Sequence, residues 1–234
     1  MNNPPGASSQ IPLPLNLGDK ANFDNFWVGH NSELVTAIKA CIQLGNPRLI
    51  YFYGPPSSGK SHLLFAAMRL AGEEVISTSY LSLGDINVNP QMLELVDAAH
   101  LVCIDNLEYW AADKELERAL FALFERVKHA GGQLLISARQ PPDQCGFKLA
   151  DLNSRLLSGL VYSLRELTED QQFEAIKMRA NNRGLSITDD TVRYLLRRSS
   201  RDTGELFAIL DKIDRASLIE KRRITIPFLQ KLIK

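Results

Sequence analysis

Gly54-Pro55-Pro56-Ser57-Ser58-Gly59-Lys60-Ser61 constrains this chain more than any other stretch. It fits G-x-x-x-x-G-K-[ST], a loop whose backbone N–H groups cradle phosphate. Such a loop works between a strand and a helix, and both are written beside it. Leu49 to Tyr53 is apolar, aromatic and rich in strand formers, and His62 to Leu70 is a helix sequence free of Gly and Pro. The glycines allow the tight turn, and the helix N-terminus adds free N–H groups and the positive end of its dipole. Lys60 is placed to reach the β- and γ-phosphates, and the Ser61 hydroxyl to ligate Mg²⁺. The nucleotide-binding set is therefore Gly54, Pro55, Pro56, Ser57, Ser58, Gly59, Lys60 and Ser61, with His62 opening the helix beside them.

A second motif completes the first. Leu101-Val102-Cys103-Ile104-Asp105 reads as a buried parallel strand ending in an acid. Ligands gather at the carboxyl ends of such strands. Asp105 is thus the expected partner of Ser61 in holding Mg²⁺.

The rest of the chain alternates. A helix is expected over 32–44, stopped by Gly45-Asn46-Pro47, with Asn31 or Ser32 as its cap. Strands are expected over 74–77, 133–137 and 160–164, and helices over 90–99, 113–129 and 150–157. On the helix over 113–129, Leu116, Leu120, Leu123, Phe124 and Val127 fall on one face. From residue 169 onward the pattern is helical only, over 169–183, 189–199, 203–219 and 227–233. Strands alternating with helices, followed by helices alone, make this an α/β chain with a parallel sheet flanked by helices and a small all-helical lid domain. The expected division is a tail at 1–20, the α/β nucleotide domain at 21–165 and the lid at 166–234.

Composition excludes several classes. No apolar run approaches the roughly 20 residues that span a bilayer, so no membrane role is expected. No basic-then-apolar leader pattern opens the chain, and a cytoplasmic location is expected. Cys41, Cys103 and Cys145 lack metal spacing and read as reduced thiols. Net charge is zero, but residues 165–234 carry 15 Lys and Arg against 11 Asp and Glu. That part could face nucleic acid weakly and in a salt-sensitive way, or simply be solvated. Residues 1–20, rich in Pro, Asn, Ser and Gly, read as a flexible tail, yet they contain Gln10-Ile11-Pro12-Leu13-Pro14-Leu15. Apolar residues in such a tail suit a docking peptide or a strap, and the prolines pre-extend it.

These features together resemble the Hda family of DnaA-related AAA+ regulators of bacterial replication initiation. The resemblance rests on the tail, both phosphate-site motifs, Asn25-Phe26-Trp27-Val28-Gly29, Asp151-Leu152-Asn153-Ser154-Arg155-Leu156 and Ile224-Thr225-Ile226-Pro227-Phe228. It implies an AAA+ fold and an adenine nucleotide, ADP favoured, with Mg. It implies that Val28 lies in the segment that contacts the base. It further implies that Gln10, Leu13 and Leu15 bind the DNA-loaded β sliding clamp of the replicative polymerase. From there Arg155, matching an arginine finger in trans, would stimulate hydrolysis of the ATP on DnaA and so block re-initiation. An arginine suits that role because its guanidinium stays charged and bridges phosphate oxygens.

Asn106 follows Asp105 where many active AAA+ ATPases carry a second acid, Arg139 ends a strand where relatives often carry a polar or acidic sensor, and Gly204 falls where relatives carry a sensor arginine. Arg201, three residues earlier, could substitute for it. Weak intrinsic hydrolysis is therefore expected, although nucleotide binding is not compromised. The competing reading is a P-loop ATPase of the helicase-loader type that remodels its partner. Self-association that covers Arg155 is a further expectation of the AAA+ resemblance.

Overall fold

The structure is a computed structural model that describes residues 21–98, 100–198, 203–220 and 224–232. Five strands, β1 (Leu49–Tyr53), β2 (Thr78–Ser82), β3 (Leu101–Asp105), β4 (Gln133–Ala138) and β5 (Leu160–Ser163), form one sheet. All are parallel, in the order β2-β3-β4-β1-β5. The helices are α1 (Ser32–Leu44), α2 (Lys60–Glu73), α3 (Pro90–Glu94), α4 (Lys114–Ala130) and α5 (Ala150–Leu157). Strand side chains alternate between the two faces. Ile50 and Phe52 of β1 join the core under α1 and α2, with Ile38, Cys41, Leu63 and Leu64. Tyr51, between them, joins the opposite core under α4 and α5, with Leu120, Leu123, Phe124, Leu152 and Leu156. Burial on both faces explains the unbroken apolar run of β3, whose five residues are all buried.

The helix ends follow from local chemistry. The Asp113 carboxylate caps α4, accepting from the N–H groups of Glu115 at 2.9 Å and Leu116 at 3.1 Å, and Gly131 closes the helix in the left-handed region. The helix expected over 90–99 stops at Glu94. Arg126 of α4 donates to the carbonyls of Leu93 and, at 3.0 Å, Glu94 at this helix end. Asn31, an expected cap, makes no side-chain cap bond; it is buried and accepts from the Arg165 N–H at 3.2 Å.

The strand expected over 74–77 lies one step later, as β2 over 78–82. Residues 74–76 instead close the end of α2, where the Ile76 N–H reaches the Ala71 carbonyl at 2.8 Å. Val75 sits there at φ 60°, 93% exposed. An apolar, β-branched residue reads as strand, but the helix-closing hydrogen bonds decide its conformation.

Beyond Leu164 the chain forms α6 (Glu169–Asn182), α7 (Asp189–Arg198), α8 (Thr203–Glu220) and α9 (Ile226–Leu232). Thr168 and Gln171 form a reciprocal capping box at the start of α6. Ile176, Val192, Leu195, Leu206, Ile213, Phe228 and Leu229 make a separate core among these helices. The cavity described next lies where this helical unit meets the carboxyl ends of the strands.

Candidate nucleotide site

The glycine loop leaves β1 at Gly54, whose N–H reaches the Ala138 carbonyl at 3.2 Å. Gly59 adopts φ +97°, and a Cβ there would stand 2.8 Å from the Phe26 ring. Both the backbone conformation and the space therefore require glycine. Lys60 is 7% exposed and donates to the carbonyls of Gly54 and Pro55, each at 2.7 Å. Burial pushes its ammonium below the ordinary lysine range, opposed by the negative charges of Asp105 and Glu108. Two loop carbonyls thus hold a cation where a phosphate oxygen would serve it better. The buried hydroxyl of Ser58 has no partner among the described residues, which leaves a donor in the loop for the same kind of acceptor.

Ser61 opens the first turn of α2 and donates to Asp105 at 2.5 Å. Asp105, 1% exposed, also accepts from the Tyr80 hydroxyl at 3.0 Å, the Asn106 N–H at 3.0 Å and the Ser137 hydroxyl. The two residues expected at a magnesium ion are therefore side by side. Among the described residues no group of three His, Cys, Asp or Glu side chains forms a metal cage. A Mg²⁺ here would draw its remaining ligands from phosphate and water, as this ion ordinarily does.

A cavity of about 450 Å³ opens from the loop. Its walls are Asn25, Phe26, Trp27 and Asn31 on one side, Pro56 to His62 at the floor, Asn106 and Arg139 at the strand ends, and Leu167, Arg179, Thr203, Gly204 and Phe207 from the helical unit. That size suits a small-molecule ligand. The Trp27 indole N–H is buried without a partner among the described residues. Val28 turns instead toward the core under α1 and α2. His62 faces the cavity, with Nε2 at 3.0 Å from the Asn22 carbonyl oxygen and Nδ1 at 3.1 Å from Arg179.

Arg179 was not singled out in the sequence. It lies on α6, stacks on Phe207 at 3.7 Å and reaches the Asn25 carbonyl at 3.4 Å. It thus ties α6 and α8 to the first turn of α2. A basic residue on a lid helix carries no local signal of this; only the packing of three segments reveals it. Gly204 does line the cavity, as a backbone surface without a side chain. Gln10, Leu13, Leu15 and Arg201 lie outside the described residues.

Arg155 is elsewhere. It sits on α5, ion-paired to Glu125 of α4 at 2.8 Å, and half-exposed. It lines a groove of about 390 Å³ with Arg48, Leu49, Gly132 and Leu160, at the amino ends of β1, β4 and β5. The glycine loop leaves from the other end of β1, about 13 Å away at the rise of a strand.

Residues 169–233 match a family model described as "Hda, lid domain". The helical unit is thus similar to the Hda lid domain. Domain III of the Thermotoga maritima replication initiation protein DnaA superposes with a TM-score of 0.75 at 19% identity, covering 94% of this chain and 97% of that one. AMPPCP-bound DnaA from Aquifex aeolicus gives 0.67 at 22%, covering 83% of this chain. The Holliday junction branch migration motor RuvB of Thermotoga maritima gives 0.64 at 19%, covering 88% of this chain and 67% of that one. This chain spans 65% of the length of the Aquifex DnaA structure. These likenesses show the AAA+ fold. Together with the match of residues 169–233 to the Hda lid model, they are consistent with the resemblance to Hda, a DnaA-homologous AAA+ protein. Among the described residues no helix is long and apolar enough to cross a membrane.

Proposed function

We propose that this chain is an Hda-type regulator that inactivates the replication initiator DnaA. It binds an adenine nucleotide, ADP by preference, in the cavity above Lys60. Ser61 and Asp105 hold the Mg²⁺ that accompanies the phosphates, and this ion screens their charge. Gln10, Leu13 and Leu15 seat the chain on the DNA-loaded β sliding clamp. Arg155 is then offered to the ATP on DnaA, where it stabilises the charge of the transferring phosphoryl group. The resident nucleotide acts as a structural ligand between loop and lid, which suits a site whose second acid position is Asn106.

The observation that carries this reading is the separation of Arg155 from its own glycine loop. An exposed arginine at the amino end of the strands cannot serve the nucleotide of its own chain, but it can serve a neighbour's. The same face could be covered by a second copy of this chain, which would hide Arg155 until the clamp or DnaA displaces it.

The test is hydrolysis of ATP pre-bound to DnaA, with this protein and with or without clamp on DNA. Clamp-dependent acceleration that Gln10→Ala abolishes is the expected result. No acceleration in any mixture, with this protein loaded with ADP, would sink the proposal. The resident site has its own check. Gly59→Ala is expected to weaken ADP binding by about tenfold or more, roughly 1.4 kcal/mol, in calorimetric titration. Unchanged affinity would mean that the nucleotide does not sit on this loop.

A further inference from the structure

The sheet has two edges, and they are finished differently. β2 is Thr-Ser-Tyr-Leu-Ser; none of its residues is exposed, and the Tyr80 hydroxyl turns in to Asp105. β5 is Leu160-Val161-Tyr162-Ser163, and Leu160 and Val161 are exposed, as is Leu157 just before it. The backbone groups of successive strand residues point to opposite sides. The Leu164 N–H donates to the Tyr53 carbonyl at 2.6 Å, so residues 160, 162 and 164 face β1. Val161 and Ser163 therefore turn their N–H and C=O groups outward, where no strand among the described residues pairs with them. An apolar edge left open in this way is a template for another strand.

The chain carries a segment of matching pattern. In Ile11-Pro12-Leu13-Pro14-Leu15, which precedes the described residues, apolar residues and prolines alternate. Proline has no N–H, and a strand tolerates it where that N–H would face away from the sheet. With Pro12 and Pro14 facing away, the N–H groups of Ile11, Leu13 and Leu15 all face the partner strand, and their side chains share one face. The tether is long enough. The described chain begins at Ala21, and Phe23 packs on the core under α1 and α2, with the Lys39 ammonium of α1 at 5.0 Å from its ring centre. That core includes Ile50 and Phe52 of β1, the strand that β5 pairs with. The stretch from Ile11 to Ala21 spans up to about 33 Å when extended, against the roughly 10–12 Å width of a helix to be crossed.

We propose that residues 11–15 lie along the outer edge of β5 as a strap, adding a sixth strand to the five-stranded sheet. Leu160 and Arg155 line one groove, so a strand laid on β5 runs beside the arginine and stands in the way of a docking partner. Leu13 and Leu15 are also assigned above to the sliding clamp, and this half of the inference rests on that reading. One segment cannot fill both places. Capture of the tail by the clamp therefore uncovers the β5 edge, which ties presentation of Arg155 to the clamp.

The test is amide hydrogen exchange of the full chain, read at single residues. The parent is expected to protect the Val161 and Ser163 N–H groups about tenfold or more over Ile11→Asp, at every protein concentration. Ile11 has no part in the clamp set, so this substitution removes the strap and spares clamp binding. Val161→Pro is the second variant. It deletes one outward N–H, keeps the bonds to β1, and should speed exchange at Ser163 in the same way. Clamp added to the parent should bring both N–H groups to the rate seen in Ile11→Asp. Equal exchange in the parent and Ile11→Asp overturns the strap. Protection that grows with protein concentration makes the occupant a second copy of the chain and overturns it too. Protection that persists with clamp bound overturns the exchange of places. A parent chain that shows the protection and binds no clamp overturns the clamp reading and leaves the strap standing.

Discussion

Arg155→Ala is expected to return hydrolysis of DnaA-bound ATP to the rate of DnaA alone, a loss of up to about 10³–10⁵-fold from the stimulated rate. The size follows from where the guanidinium acts. Charge that develops on the transferring phosphoryl group meets a fixed cation, while Arg48, the other arginine of this groove, is committed to the Gly131 carbonyl. Arg155→Lys should rescue little, because an ammonium cannot bridge two oxygens. The fold should not suffer. Leu152 and Leu156, both fully buried, anchor α5 without help from Arg155. The pair with Glu125 is exposed to water on both sides, and such pairs contribute about 0–1 kcal/mol. Single-turnover assays beside thermal melts separate the two effects. A melting temperature lowered by many degrees, with activity lost in proportion, would make Arg155 a structural residue.

Glu117→Ala is expected to be the most destabilising single change in the α/β unit. Glu117 is fully buried on α4, on the face that periodicity assigns to apolar residues. Its Oε1 accepts from the Ala112 N–H at 2.8 Å and the Lys148 N–H at 3.1 Å. Its Oε2 accepts from the Lys148 N–H at 2.9 Å and the Leu149 N–H at 2.7 Å. Leu149 precedes α5 and has no capping side chain of its own, so Glu117 supplies the acceptor from another helix. Removing it takes the carboxylate acceptor from three part-buried N–H groups, a cost of about 3–5 kcal/mol. In a chain of this size that corresponds to a fall of roughly 6–20 °C in melting temperature. Glu117→Gln, which keeps one good acceptor, should fall between. A melting temperature within about 2 °C of the parent, equivalent to no more than about 1 kcal/mol in a chain of this size, would remove Glu117 from this role. Because Glu117 fixes the start of α5, the alanine variant should also lose part of the stimulation that depends on Arg155.

Glu117 marks the limit of what could be read in the chain. The faces of α4 and β3 are legible because burial imposes periods of 3.6 and 2 on adjacent residues. The glycine loop is legible because its chemistry is local, and Ser61 and Asp105 meet as their motifs imply. Glu117 looks like one charge in a solvated helix because its partners lie 31 and 32 residues later and are backbone N–H groups, which leave no trace in a sequence. Arg179 escaped for the same reason, since its contacts to Asn25, His62 and Phe207 cross between units. Val75 misled in the other direction, its side chain suggesting strand while the end of α2 dictated a turn. The ion pair of Arg139, just past β4, with Glu108, in the turn after β3, joins residues 31 positions apart. Arg139 could be seen as out of pattern, but what it holds could not.

The decisive question is whose nucleotide Arg155 serves. DnaA would be loaded with radiolabelled ATP and this protein with unlabelled ADP, then combined with clamp on DNA and followed through one turnover. The expected result is rapid conversion of the label to ADP on DnaA, dependent on the clamp and on Arg155, while this protein keeps its ADP. Label that decays at the rate of DnaA alone, with both proteins bound to the clamp, would contradict the central claim.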